Sequence, residues 1–508
     1  MAGVSLESGA LHEFTFYPTL GAEFQPELQG AFLIGADGVP VRGELHLRDG
    51  AITCESRNSE ALGLSLLWPV AGCGTLQVET TRLPSREDPY HLHVELARHR
   101  LMRISFKREE WGLFDYPGLD EVAAAIDRAR DLFVAALQHA DDPPRAAELA
   151  DQSLALSVSA SEQLARFHAS VFIARRQQSG GLPRGFLGAG LPARPSAAES
   201  LERAKSALDF VRVPFCWREI QPTEHEAGYD EVDGLLRALS KTSLGVRGGP
   251  LLNFGVSWVP DWMYIWENDY DAIADFAKEH VRRTVKRYAG KIHNWIVASG
   301  LHADSVFPFT FEQIIDLTRM AAGIARQTSA RAQVVLELTQ PWGEYYARNQ
   351  RSIPPLLYAE MAVQSGIAFD ALGVRLLFGL AAEGFHARDF FQVSSLLDRL
   401  ANLGKPVHVT AAAVPSQPSG GSPVDALRAG GAWRDGWSEA VQADWLGELV
   451  ETALSKPYVE SVSLQQIADG GDDAVPSGGI LRADLSAKPG LKRLTDLRKR
   501  CQAAEAKR

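Results

Sequence analysis

The segment NWIVASGLHADSVFPFTFEQIIDLTRMAAGIARQTSARAQVVLEL, residues 294–338, decides the fold. Its first residues, Asn294–Ala298, and its last, Gln333–Leu338, are short apolar runs of strand length. Between them Ile314, Leu317, Ala321 and Ile324 recur at intervals of three and four, which puts their side chains on one face of a helix. Thr310 followed by Gln313 forms a capping box, in which each side chain accepts a hydrogen bond from the other residue's backbone N–H. Strand, helix, strand is one β/α unit, and strands joined by a helical crossover lie parallel.

The unit repeats on both sides. Upstream, Phe186–Leu191, Phe210–Pro214 and Pro250–Phe254 read as strands; downstream, Ala371–Leu376, Val407–Ala411 and Ser461–Gln466 do the same. Eight strands alternating with amphipathic helices predict an α/β fold, a (β/α)8 TIM barrel over residues 183–500. Function in that architecture sits on the loops after the strand C-termini. Ahead of the barrel, GELHLRDGAITC is two strands around an Asp49-Gly50 turn, and GTLQVETTRL, YHLHVELAR and LMRISFKR continue the alternation. A β-rich, sandwich-like domain is therefore expected over 1–118. Residues 119–178 change to a helical pattern: DEVAAAIDRARDLFVAALQHA is one helix, DDPP breaks it, and a longer Ala- and Leu-rich helix follows as a connector. The Gly/Pro-rich SGGLPRG at 179–185 marks the boundary.

The 508 residues suffice for two or three domains, at about 150 per domain and about 250 or more for a barrel. With 45% hydrophobic and 23% charged residues, the composition is that of a globular protein and excludes disordered and collagen-like chains. The net charge of −11, without a long Lys/Arg run, gives no electrostatic footprint for nucleic acid or an anionic membrane. Cys54, Cys73, Cys216 and Cys501 are scattered and read as reduced apolar residues. The first residues, MAGVSLESGALHEF, lack the basic and apolar regions of a secretory signal, and the apolar stretch from Leu62 is interrupted by Pro69, so a cytoplasmic protein is expected. Nine of the 11 tryptophans lie at or beyond Trp217, which concentrates the indoles in the barrel.

The stretch RYAGKIHNWIVASG, Arg287–Gly300, resembles the fourth-strand signature of glycoside hydrolase family 10, the endo-β-1,4-xylanases. That signature reads Arg-Tyr-x-Gly-Lys-Ile-x-x-Trp-Asp-Val-Val-Asn-Glu. Arg287, Tyr288, Gly290, Lys291, Ile292, Trp295 and Val297 match it. Further pieces follow in the family's order: FLGAG on the first strand, Trp217 to Pro222, VRG from Val246, Pro260-x-Trp262, Gly366 to Gly373 through Asp370, and Lys488-Pro489. The resemblance implies the barrel already read from the strand pattern. It also implies a retaining glycosidase site, with an acid/base Glu ending the fourth strand and a nucleophilic Glu ending the seventh. Such carboxyl groups lie about 5–5.5 Å apart.

On this chain those two positions fall on Gly300 and Ala411, which can neither donate a proton nor attack an anomeric carbon. The family's sugar-gripping His, Trp and second His fall on Gly249, Asn253 and Phe254. Its Gln and His after strand six fall on Arg375 and Leu377, its Trp after strand eight on Gln465, and its Lys before Trp217 on Cys216. A non-hydrolytic, carbohydrate-interacting or scaffolding relative of the family is therefore expected. Two alternatives stand beside it: a glycosidase with relocated carboxylates, and a structural or assembly protein.

For the relocated enzyme Glu337, near the end of strand five, leads, with Asp304 or Asp469 as partner; its bland reading is an internal ion pair with Arg375. Trp217, Asn253, Trp262, Trp342, Arg375 and Gln465 are the ligand-binding candidates, within a wider aromatic set of Trp258, Tyr264, Trp266, Tyr345 and Tyr346. Aromatic faces stack on sugar rings, and the same residues also cover barrel ends and oligomer interfaces. His302 and His408 are too far apart in sequence to define a metal site, and the Gly-rich GFLGAG and GGDDAVPSGG lack the Lys-Ser/Thr of a phosphate loop. No metal or cofactor is expected; a carbohydrate ligand and a homo-oligomer are the expected partners. The loop after strand seven, PSQPSGGSPVDALRAGGAWRDGW, reads as a flexible surface loop or a lid.

Overall fold

In the computed structural model, residues 10–17, 26–57, 60–114, 116–180, 183, 185–192, 197–349, 351–417, 423–470 and 474–505 are described. The N-terminal strands are β1 (Ala10–Thr15), β2 (Phe32–Ile34), β3 (Pro40–Val41), β4 (Glu44–Arg48), β5 (Ala51–Ser56), β6 (Gly63–Val70), β7 (Gly74–Glu79) and β8 (Tyr90–His91). They fall into two sheets, β4-β5-β1-β8 and a second built on β7-β6-β2-β3. The Asp49-Gly50 hairpin forms as read, with Arg48 opposite Ala51 and positive φ at both turn residues.

The helices α1 (Leu92–Glu110), α2 (Asp120–Gln138) and α3 (Pro143–Ser179) follow. The first corrects the reading of YHLHVELAR and LMRISFKR as strands. Its buried residues His93, Ala97, Arg100, Ile104 and Lys107 recur at four, three, four and three, the period of a helix. Three of these five are polar, so the buried stripe was invisible as hydropathy.

Eight parallel strands then close a barrel: β9 (Leu187–Gly190), β10 (Phe210–Val213), β11 (Gly245–Gly248), β12 (Asn294–Ser299), β13 (Gln333–Leu338), β14 (Ala371–Leu377), β15 (Val407–Ala413) and, after a detour by β16 (Ala432–Trp433), β17 (Val459–Leu464). The TIM barrel read from the periodicity is the fold. The third strand lies earlier than Pro250–Phe254: VRG itself pairs with β10, and the chain turns at Gly249 (φ +117°) and Pro250 before Leu252 bridges to Ala298. The capping box at Thr310 and Gln313 is present in full.

Residues of the Arg287–Gly300 motif build the wall rather than a site. Trp295 lies against Gly248, where a Cβ would approach the indole to 2.5 Å, and its ring centroid is 5.1 Å from that of Phe215. The Tyr288 hydroxyl donates to Asp233 Oδ1 at 3.0 Å, and Arg287 pairs with the same carboxylate. Inside, Ile296, Val335 and Ala371 form an apolar layer.

A buried polar seam joins the N-terminal helices to the barrel. Arg100 of α1 donates to Asp389 at 2.5 Å, both fully or almost fully buried. Asp398 accepts from Lys107 (2.9 Å), Lys456 (2.8 Å), the Trp111 indole (3.0 Å) and the Tyr458 hydroxyl (2.6 Å), and the two ammonium groups hold its pKa well below the ordinary carboxylate range despite burial. Glu162 of α3 accepts from the Trp433 indole (2.8 Å) and from the Phe390 backbone N–H (3.2 Å).

Trp433 reveals what the loop after strand seven does. Of that loop, Pro418–Gly421 and Ser422 lie outside the described residues; the remainder forms a helix, Pro423–Arg428, and then β16. Ala432 and Trp433 pair with Thr75 and Gly74, adding a fifth strand to the sheet of β7. This corrects the flexible-loop reading: the Gly430-Gly431 pair, both at positive φ, lets the chain approach the Leu380 carbonyl and the Thr75 carbonyl where a Cβ would collide.

Two outcomes are expected from the seam. Asp389→Ala strands the Arg100 charge in a dry interface, and urea unfolding should show a loss of about 3–5 kcal/mol; a loss under about 1 kcal/mol would refute the structural weight given to the pair. Burial, reinforced by the neighbouring Asp389, pushes the Glu162 carboxyl up to about 7. Between the ordinary carboxylate value and pH 7 the unfolded chain loses this proton while the folded chain keeps it, so folding stability falls as pH rises through that window. Glu162→Gln should therefore gain up to roughly 3 kcal/mol on the wild type at pH 8 relative to pH 4.5, read from denaturation midpoints at the two pH values.

Candidate functional site

At the C-terminal mouth of the barrel, β12 and β13 stand side by side with Ser299 opposite Glu337. A register shift between Ile296 and Ala298 sets that alignment. Glu337 is 3% exposed and its Oε2 accepts from Ser299 Oγ at 2.5 Å. The charges of Glu337 and Arg375 both act on Arg212 of β10. Strands β10 and β13 are not neighbours, so this charge interaction runs across the barrel interior. Desolvation lowers the Arg212 pKa, the Glu337 carboxylate raises it, and Arg375 lowers it. Gly190 makes room for this guanidinium, since a Cβ there would lie 3.0 Å from it.

Arg375 is not ion-paired with Glu337, which corrects that choice of neighbour; the hydrogen-bond partner of Glu337 is the Ser299 hydroxyl, and its charge acts on Arg212. Arg212 and Ser299 were missed in the sequence. The signal for Arg212 is a cation at an alternate, inward position within FVRVP, where a barrel strand otherwise places apolar residues.

Gly300 and Ala411 sit in surroundings unlike those of a carboxylate pair. Gly300 adopts φ +67°, and a Cβ would meet Thr339 Oγ1 at 3.1 Å. Ala411 is 1% exposed in an apolar cluster with Leu377, Ala413 and Val475, against which Leu380 and Phe385 pack. Gln465 bonds through its backbone N–H to Ala412, and its Oε1 is buried without a partner. Asn253 turns back on the chain, its Oδ1 accepting from the Gly255 N–H at 2.8 Å.

The aromatic candidates mostly pack. Trp217 is buried, stacks on His280 with centroids 4.6 Å apart, and donates to Gln221 Oε1. Trp262 donates to the Gln221 carbonyl and meets Trp217 and Phe276 edge-on. Trp342 lies under the Arg388 guanidinium, 4.2 Å from the ring centroid, and Arg388 pairs with buried Glu344. Tyr345 donates to the Ile353 carbonyl at 2.7 Å, so His302 Nδ1–H is the donor in the 2.6 Å contact between them, and His302 Nε2 accepts from the Thr339 N–H. Burial pushes the His302 pKa down to about 3, which keeps this tautomer neutral. Trp258 and Trp266 are half-buried, whereas Tyr264 and Ile265 on the same loop are exposed.

Asp469 is taken by Lys488 (2.7 Å) and by the Gly479 N–H (2.9 Å), while Asp304 is exposed on the loop after β12. His408 points to the opposite end, where its Nδ1 meets Ser461 Oγ at 2.8 Å and Arg247 donates to the same oxygen at 2.6 Å. Burial first, and Arg247 second, press its pKa down to about 3. Among the described residues no group of three His, Cys, Asp or Glu side chains has metal-binding geometry.

One stability change follows from the mouth. Gly300→Ala adds a Cβ both at positive φ and against Thr339, and should lower stability by about 1–2 kcal/mol in urea unfolding; an unchanged midpoint would show that the turn can relax.

No protein-family profile matches the chain. One curated relative, endo-1,4-beta-xylanase C of Paenibacillus barcinonensis, is 25% identical over 213 residues, which is 38% of this chain and 19% of that protein. The chain thus spans about a fifth of the length of the curated relative it matches. Among solved structures, xylanase 10B from Thermotoga petrophila RKU-1 in complex with xylobiose has 14% identity and a TM-score of 0.48, covering 64% of this chain and 97% of that one. The GH10 structure from Paenibacillus barcinonensis has 21% identity and a TM-score of 0.46, covering 62% and 96%. The closed parallel barrel is the fold, and these xylanases are proteins to which the chain is similar.

Proposed function

We propose that this chain is a non-hydrolytic member of the family-10-like barrels, one that interacts with carbohydrate or serves as a scaffold instead of cleaving glycosides. The observation that carries the reading is the pair of residues at the ends of β12 and β15: a left-handed glycine against Thr339, and an alanine within an apolar cluster. A retaining glycosidase needs two carboxyl groups facing one anomeric carbon, and removing a nucleophile that acts as part of a unit has cost on the order of 10⁶ in kcat elsewhere. Glu337, a buried carboxylate at the mouth, already accepts a hydrogen bond from Ser299.

Support also comes from the sugar-gripping positions. Asn253 closes a turn, Trp217 and Trp262 are packed against neighbouring aromatic rings, and Leu377 belongs to the apolar cluster. A carbohydrate ligand would contact the remaining exposed polar and aromatic groups of the mouth loops, Tyr264 among them.

The test is reducing-sugar release from xylan together with hydrolysis of aryl β-xylosides by the purified chain. No turnover above buffer is expected, and Gly300→Glu with Ala411→Glu should not restore it, because the gripping residues differ as well. Turnover abolished by Glu337→Gln would overturn the proposal in favour of a relocated active site. Titration calorimetry with xylohexaose then separates the two non-hydrolytic roles: heat of binding identifies a carbohydrate-binding barrel, and its absence identifies a scaffold.

A further inference from the structure

A cavity of about 600 Å³ lies between the β2-β3 edge, helix α1 and the outer flank formed by the helices Pro355–Gln364 and Phe390–Ala401, with Pro341 and Trp342 of the loop after β13 at its border. That volume is in the range of small-molecule sites, about 300–1,000 Å³. In a chain with a net charge of −11, its lining is basic: four guanidinium groups, Arg82, Arg100, Arg103 and Arg399, against two carboxylates, Asp37 and Glu79.

Two of the four are already paired. Arg100 is held by Asp389 at 2.5 Å, and Arg82 reaches Glu79 at 3.6 Å while donating to the Gly35 carbonyl. Arg103 and Arg399 have neither a hydrogen bond nor a carboxylate within 4 Å among the described residues. Desolvation lowers the pKa of both; the carboxylate of Glu79 raises that of Arg103, and for Arg399 the charge of Arg103 lowers it while Glu79, Asp37 and Glu360 raise it. His99, which also faces the cavity, stays neutral because burial pushes its pKa down to about 4. It adds no charge, but it can exchange hydrogen bonds.

The same face of α1 supplies an apolar surface. His99, Met102, Arg103 and Phe106 lie at i, i+3, i+4 and i+7, and Met102 and Phe106 are 43% and 57% exposed. Two guanidiniums without a direct carboxylate partner, beside exposed apolar side chains, fit an amphipathic anion: guanidiniums match phosphate oxygens in geometry and charge, and the thioether and phenyl groups cover a ring. We infer that this cavity is a binding site for a small organic phosphate monoester, with its dianion between Arg103 and Arg399 and its organic body on Met102 and Phe106. The inference is independent of whether the barrel binds or cleaves carbohydrate.

The probe is phenyl phosphate, titrated calorimetrically into the full chain, with inorganic phosphate, benzoate and phenol as comparison arms. Phenyl phosphate is expected to bind at least tenfold more tightly than inorganic phosphate or benzoate, with phenol giving no heat. The double variant Arg103→Gln with Arg399→Gln should lose at least tenfold in affinity while its ligand-free Tm is little changed, because neither side chain makes a hydrogen bond or a close ion pair among the described residues that the substitution would break. Met102→Ser should weaken phenyl phosphate and leave inorganic phosphate unaffected. Wild-type affinity in the folded double variant, or equal binding of phenol, would overturn the assignment. Tighter binding of benzoate than of phenyl phosphate would overturn the phosphate class.

Discussion

The structure depends on a seam of charges that cannot be half-made. Arg100 and Asp389 are both removed from water, and so is most of the cluster in which Asp398 receives two ammonium groups, an indole and a hydroxyl. Such groups cost several kcal/mol each to bury alone, and their mutual attraction offsets that cost only when every partner is in place. Arg100 and Lys107 come from α1, whereas Asp389, Asp398 and Lys456 come from the barrel's outer layer. The N-terminal strands and helices are thereby tied to the barrel's outer layer, and the cavity on that flank is lined from both sides of the seam.

The barrel was legible because its strands obey a rule that needs no partner: short apolar runs separated by helices with an apolar stripe and recognisable caps. Where reading failed, the reason was a residue whose role depends on what it meets. Helix α1 reads as strands because Arg100 and Lys107 occupy its buried stripe, and their long-range partners Asp389 and Asp398 lie almost three hundred residues away. The third strand was displaced by four apolar residues, PLLNF excepting its Asn, which outweighed the small VRG segment that actually pairs.

At the mouth, the identities of Gly300 and Ala411 were plain in the sequence, and so was Glu337. The partner of Glu337 was not. By charge, Arg375 on the next strand is more eligible than a serine. Lateral register decides otherwise: the shift between Ile296 and Ala298 sets Ser299 directly beside Glu337, and a bulge of this kind leaves no trace in hydropathy. Burial of the aromatic residues was equally illegible, because Trp217 and Trp262 have the composition of a sugar platform and the contacts of a core.

The short strand β16 has a consequence for the order in which the molecule can be built. It completes the edge of a sheet whose other strands are all encoded before residue 80. As the chain is synthesised from its N-terminus, β7 presents an open edge until the seventh β/α unit has emerged, and Trp433 then reaches Glu162 as well. The amino-terminal strands are therefore made first but finished late, with the closing barrel strand β17 and the C-terminal helix among the elements still to come. A nascent chain must keep that edge from pairing with another copy through nearly the whole of its synthesis, and a chain cut before β16 would carry the exposed edge permanently.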